Sequence, residues 1–283
     1  MLSKLDDNKH SKEEIRALID SDPDVLSVKD ENDLVAIQKA AYDYDTATGT
    51  LYTRSISFVP LLAWESAKLN VFEDEMQGGL LCQNKSGNNV LHHLAWGGGG
   101  DSEEYAASCF GAIKRLWDIG FLRKEDIQKY DLLWLSLSTD SCMFHFLADC
   151  NPDALKELVT RKKSFFIRRN RVEIFQMVLS AAMRISPENL GHLFLSDSKG
   201  RSTMSIARRV FGWKTIEHSV DQTTRRSDCT QTLETAQLQL MHAAENECLD
   251  MTFYLIRRDP VTLCSIERCI NSTLTIAPHR MMF

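Results

Sequence analysis

Apolar residues in this chain recur at helical intervals and do not alternate. Phe110, Ile113, Leu116 and Trp117 fall on one helical stripe, as do Leu155, Leu158 and Val159, and Leu249, Phe253 and Ile256. Shorter stripes, with an apolar residue at i and a small or apolar one at i+3, start at Ile37, Leu91, Phe144, Met204 and Leu240. The small residues Ala40, Ala41, Ala95, Ala148, Ala207, Ala243 and Ala244 on these stripes would let neighbouring helices approach closely. The pattern predicts a nearly all-α chain of repeated units, each a polar turn, a short helix, a loop and a longer helix. No segment shows a convincing strand alternation.

The short stripes share their surroundings. Asn84-Lys85-Ser86-Gly87-Asn88-Asn89 leads into Val90-Leu91-His92-His93-Leu94-Ala95, and Asp197-Ser198-Lys199-Gly200-Arg201-Ser202 leads into Thr203-Met204-Ser205-Ile206-Ala207. Glycine tolerates positive φ in such a turn, and Asn89 and Ser202 are good helix N-cap types. Ser141 to Ala148 keeps the apolar-His-x-Leu-Ala core, while Val35 to Ala41 and Leu240 to Ala244 are weaker outer copies. Asn151-Pro152 is a cap and first-turn pair for the helix that carries Leu155. A second duplication supports the repeat: Leu18-Ile19-Asp20-Ser21-Asp22-Pro23-Asp24-Val25-Leu26 is echoed by Leu255-Ile256-Arg257-Arg258-Asp259-Pro260-Val261-Thr262-Leu263.

These phrases resemble the ankyrin repeat, whose signature is a glycine turn followed by T-P-L-H-x-A-A. The leucine column would be Ile37, Leu91, Phe144, Met204 and Leu240. The histidine column would be Gln38, His92, His145, Ser205 and Met241, of which two keep the histidine. No copy has the proline, and the turn glycine stands only at Gly87 and Gly200. Successive histidine-column positions lie 54, 53, 60 and 36 residues apart, against the family's usual ~33. The excess is expected as loops at 42–57, 97–102 and 213–233. The resemblance implies an all-α solenoid of degenerate, insertion-bearing ankyrin-like helix-turn-helix repeats. It would form a single domain over residues 1–283, with a core at 13–265 and a cap or disordered tail at 266–283.

At 283 residues, 43% hydrophobic and 25% charged, the chain can bury a core, which argues against wholesale disorder. A net charge of -6 gives no global pull towards nucleic acid or anionic membrane. The first ten residues are charged and lack an apolar core, so no secretory signal is expected there. The apolar stretches near 58–64 and 132–137 are too short to span a bilayer. Eight cysteines without a framework read as reduced thiols. The expected setting is cytoplasmic, or nuclear if the basic segment described below serves as an import signal.

The residues that invite a catalytic reading fit it poorly. His92-His93 lacks the further ligands of a zinc site, and adjacent helix positions point apart. His92 and His145 are expected in the scaffold and His93 at the surface. Gly97 to Gly100 precedes Asp101, Ser102, Glu103 and Glu104, whose carboxylates would repel phosphate. No G-x-S-x-G, kinase set or paired-carboxylate motif is present. The expectation is therefore no enzyme, no metal and no cofactor.

What remains is binding. On the ankyrin resemblance a monomeric stack would grip a partner protein through its turn tips: Asp30, Glu31 and Asp33; Lys85, Ser86 and Asn88; Ser198, Lys199 and Arg201. The competing reading is a nucleic-acid-associated protein contacting phosphates through Arg161, Lys162, Lys163, Arg168, Arg169 and Arg171, interleaved with Phe165 and Phe166. No membrane contact is expected in either case.

Overall fold

The computed structural model describes residues 5, 7–41, 44–45, 50–51, 55–70, 79–96, 103–137, 141–161, 172–185, 193, 201–226, 252 and 256. Among these the chain is mostly helical. The β structure among the described residues is one antiparallel ladder, β1 (Tyr44–Asp45) with β2 (Thr50–Leu51), registered Tyr44 to Leu51 and Asp45 to Thr50. The chain divides into two compact units, Met1–Asn151 and Pro152–Phe283.

The first unit opens with α1 (Lys12–Ser21). Its start is fixed by a capping box: the Glu14 N–H donates to Ser11 Oγ at 3.1 Å, and the Ser11 N–H donates to Glu14 Oε2 at 2.7 Å. Pro23 then opens a 3₁₀ turn, Pro23–Leu26, which packs on α1 and buries Leu26. A polar turn follows, then α2 (Ala36–Ala41), a 3₁₀ turn at Ile56–Phe58 and α3 (Val59–Lys68). The same order recurs as a polar turn, α4 (Val90–Trp96) and α5 (Glu103–Asp118). Three short helices complete the unit: α6 (Lys124–Lys129), α7 (Leu132–Ser136) and α8 (Ser141–Cys150).

Packing within this unit sorts the helices into two rows. The longer helices α1, α3 and α5 touch in sequence, while α2 packs on α4 and α4 on α7. The rows join through α2 against α3 and α4 against α5. The core lies between them: Ile37, Leu62, Leu91, Ile113 and Leu116 are fully buried. Burial of this kind contributes roughly 1.5–3 kcal/mol per large apolar side chain before entropy is counted. The pair α6 and α7 was not foreseen in the sequence. α7 packs against both α4 and α8, so it stands where a simple two-helix repeat would place the next unit directly.

The second unit contains α9 (Pro152–Arg161), α10 (Val172–Ile185), α11 (Thr203–Phe211) and α12 (Trp213–Arg226). α9 begins at Pro152, directly after Asn151, as its sequence predicts. α10 packs on α9 and α12, and α11 on α12. Ser202 caps α11 by accepting the Ser205 N–H at 3.0 Å. The buried Thr203 hydroxyl donates to the Val159 carbonyl at 2.8 Å, tying α11 to α9. A loop was expected over 213–233, but Trp213–Arg226 is a helix. Ile216, Ser219 and Val220 form its buried stripe among mostly polar residues. The rest of that expected loop, beyond Arg226, lies outside the described residues. So do the loop at 97–102, the duplicate motif at 255–263 apart from Ile256, and the tail at 266–283.

Candidate partner-binding site

The two polar turns of the first unit are built by the same hydrogen bonds. In the first, Asp30 Oδ1 accepts the Asn32 and Leu34 N–H groups at 2.9 and 3.0 Å. The Asp33 N–H donates to the Asp30 carbonyl, and the Asp30 N–H to the Leu34 carbonyl, both at 2.9 Å. In the second, Asn84 Oδ1 accepts the Ser86 and Asn88 N–H groups at 2.9 and 3.0 Å. The Gly87 N–H donates to the Asn84 carbonyl, and the Asn84 N–H to the Asn88 carbonyl, both at 2.9 Å. The fourth residue is left-handed in each, Asp33 at φ 65° and Gly87 at φ 76°. An Asp or Asn at the first position forms such a turn because its short side chain reaches the backbone two and four residues on.

Each turn is joined to its helix by the residue of the histidine column. Gln38 Oε1 accepts the Val35 N–H at 3.1 Å. The Asn89 N–H points at His92 Nδ1 at 3.1 Å, and Asn89 Oδ1 accepts the His92 N–H at 3.2 Å while lying 2.7 Å from Nδ1. The Ser202 N–H donates to Ser205 Oγ at 2.8 Å. Gln, His and Ser thus each engage the N-cap N–H from the third helical position, and the cap is reciprocal at Asn89–His92 and Ser202–Ser205 but not at Val35, whose side chain has no acceptor. Ile37, Leu91, Phe144 and Met204 are all buried, but His145 stands fifth in α8 (Ser141–Cys150), not third as Gln38, His92 and Ser205 do in theirs. Leu240 and Met241 lie outside the described residues.

The tip residues expected to meet a partner divide by role. Glu31, Lys85 and Ser86 are exposed, and neither Glu31 nor Lys85 forms an ion pair with another described residue. Asp30 is committed internally, since its second oxygen also accepts Lys39 Nζ at 2.8 Å. Burial alone would raise its carboxyl, but the bonds from Lys39, Leu34 and Asn32 outweigh this and hold it below the usual value. Asp33 faces Lys29 at 3.3 Å, and half-buried Asn88 closes the turn through its backbone. Arg201 is exposed immediately before the Ser202 cap, whereas Ser198 and Lys199 lie outside the described residues. Of the basic segment only the backbone of Arg161, ending α9, is described. Lys162, Lys163, Arg168, Arg169 and Arg171 fall outside.

The titratable groups nearby belong to the scaffold. His92 packs edge-on against Tyr130, with centroids 5.3 Å apart, and burial lowers its pKa against the opposing pull of Asp131. His93, expected at the surface, is buried. Val90, Leu91, Leu94 and Ala95 are buried beside it, so α4 has little exposed face left for His93. Burial, reinforced by His92, pushes the His93 pKa down to about 4. Burial also raises the Cys109 and Cys150 thiols to about 12, which makes them poor nucleophiles. Among the described residues no three His, Cys, Asp or Glu side chains are placed to hold a metal ion, and no helix is long and apolar enough to cross a membrane.

The sequence motifs missed one surface feature, a groove on the opposite row of helices, where Trp64 and Arg115 face solvent. The available signal was a glycine, Gly111, in the middle of an otherwise well-formed helical stripe. In comparison with known proteins, no family model matches the chain, and neither the curated proteins nor the solved structures give a match.

Proposed function

We propose that this chain is a non-catalytic interaction module, a stack of divergent ankyrin-like turn–helix units that binds a partner protein through its turn tips. One observation carries the reading: the turns at 30–34 and 84–88 repeat the same four hydrogen bonds and the same left-handed fourth residue. A backbone reproduced 54 positions apart, with the variable side chains left at the tip, is how a repeat scaffold presents a recognition surface. The tips also differ in charge. Glu31 is free at one and Lys85 at the other, so the surface pairs a negative tip with a positive one. A partner with the opposite arrangement would be steered and registered by these charges more than held by them.

The test is affinity capture on the tagged full-length chain, with and without nuclease, repeated with Glu31→Lys/Lys85→Glu. A protein partner that survives nuclease and is lost in the double variant, with unchanged thermal melting, supports the reading. A partner retained by that variant removes the tips from the mechanism. Recovery only of material lost to nuclease transfers the function to the basic segment 161–171, whose binding would weaken steeply with salt.

A further inference from the structure

The row of longer helices in the first unit carries a groove of about 610 Å³. α3 forms its floor with Ser57, Pro60, Leu61 and Trp64, at spacings i, i+3, i+4 and i+7 if the preceding 3₁₀ turn is included. α5 forms one wall with the same spacing: Ser108, Gly111, Ala112 and Arg115. Lys12 and Arg16, one turn apart on α1, form the other. The groove is therefore apolar at its base and about two helical turns long, roughly 10 Å at 1.5 Å per residue.

Three features of this groove have no explanation among the described residues. Trp64 remains 46% exposed although its ring lies only 5.8 Å from that of Phe121. Gly111 sits mid-helix, where glycine costs roughly 0.5–1 kcal/mol relative to alanine, yet a Cβ there would meet nothing within 4 Å. No internal packing demands the glycine, so the space above it is open to a second backbone. The third feature is charge. Lys12, Arg16 and Arg115 line the groove against Asp7 alone. Arg16 leans on the buried Glu65, Nε to Oε1 at 3.5 Å, while Lys12 and Arg115 form no ion pair among the described residues.

The geometry points to a docking site for an acidic amphipathic helix of a partner protein, lying along α3 between α1 and α5. Its apolar stripe would cover Trp64 and Leu61, its backbone would approach at Gly111, and carboxylates on its flanks would meet Lys12 and Arg115. A helix docks in an apolar groove through anchors at i, i+3, i+4 and i+7 of its own sequence, a span that matches the length of this groove, and Trp and Arg are among the residue types that most often dominate such interfaces. The site lies apart from the turn tips and does not depend on the repeat reading.

The probe is a labelled helical peptide of about 18 residues, with Leu and Phe on one stripe and Glu on both flanks. Its control has Lys in place of every Glu. Fluorescence anisotropy on the full-length chain should show micromolar binding of the acidic peptide and binding at least about tenfold weaker for the control. Arg115→Glu and Lys12→Glu should each weaken the acidic peptide about tenfold, and Gly111→Leu should abolish binding by filling the groove. Arg115→Glu touches only an exposed side chain that forms no ion pair among the described residues, so it remains informative if Gly111→Leu disturbs the fold. Glu31→Lys/Lys85→Glu should leave peptide binding unchanged, which separates this site from the tips. Equal binding of both peptides, no binding of the acidic one, or full binding by Arg115→Glu overturns the proposal.

Discussion

Gln38 Nε2 donates to the Cys82 carbonyl at 2.8 Å, through a side chain with no solvent exposure. The same amide accepts the Val35 N–H through Oε1, so one residue caps its own helix and ties it to the segment leading into the next turn. Both partners are backbone groups that water cannot reach once α2 and α4 are packed. Their satisfaction therefore depends on an amide at position 38.

Gln38→Leu leaves the Val35 N–H and the Cys82 carbonyl without these bonds and should lower stability by about 1–3 kcal/mol. Gln38→Glu keeps the acceptor but replaces the donor with an oxygen facing a carbonyl, and it should cost more than Leu at neutral pH. Urea unfolding of the two variants beside the parent checks both the loss and its order. A Gln38→Leu chain as stable as the parent would mean that the bond is not part of the stacking interface.

The two turns make opposite predictions at their left-handed positions. Gly87→Ala places a Cβ at φ 76°, where the nearest atom is Gln83 Oε1 at 3.8 Å, so its cost is backbone strain without a clash. It should destabilise by roughly 1–2 kcal/mol. Asp33→Gly removes a similar strain at φ 65°, against the loss of an exposed pair with Lys29 and the greater chain entropy of glycine. It should be neutral to slightly stabilising. Thermal melting of the two single variants tests the pairing of positions 33 and 87 directly.

The columns of buried residues were legible because helical spacing alone decides which side chains share a face. Ile37, Leu91, Phe144 and Met204 needed no further information. The equivalence of the two turns was harder to see, since only one has a glycine. Asp33 supplies the left-handed residue in the other, and the informative signal was the Asp or Asn that opens each turn. α12 was hidden by composition: Ile216 and Val220 are spaced for a helix, but the polar residues around them suggested a loop. His93 was misplaced because α4 is packed by α2, α5 and α7 together, and that is a tertiary fact. The groove combines residues from three helices, which no local pattern brings together.

Core substitutions test the columns. Leu91 and Leu147 are fully buried, and truncation of either to Ala should cost ~2–5 kcal/mol, depending on how far the neighbours relax. Denaturant unfolding with an unchanged m-value would attribute the loss to the native state. Unfolding indistinguishable from the parent in both variants would contradict the register assigned to α4 and α8.

His93 makes the stability of this unit depend on acid. Its folded pKa is depressed to about 4 from an ordinary value near 6.5, first by burial and then by His92. Between those values the unfolded chain binds the proton and the folded chain resists it. Stability is thus complete above pH 6.5 and is lost as pH falls towards 4, by up to about 3 kcal/mol if this group acts alone. His92, whose pKa burial also lowers, contributes in the same direction, whereas Asp30, held below the usual carboxyl range, responds at still lower pH. His93→Gln is expected to cost stability at neutral pH, because it replaces a packed ring contacted by Asn84, whose Nδ2 lies 3.5 Å from His93 Nε2. It should also flatten the dependence between pH 6.5 and 4. Urea midpoints across that range separate the two effects: a variant that is less stable throughout yet falls as steeply as the parent would assign the acid sensitivity to a group other than His93.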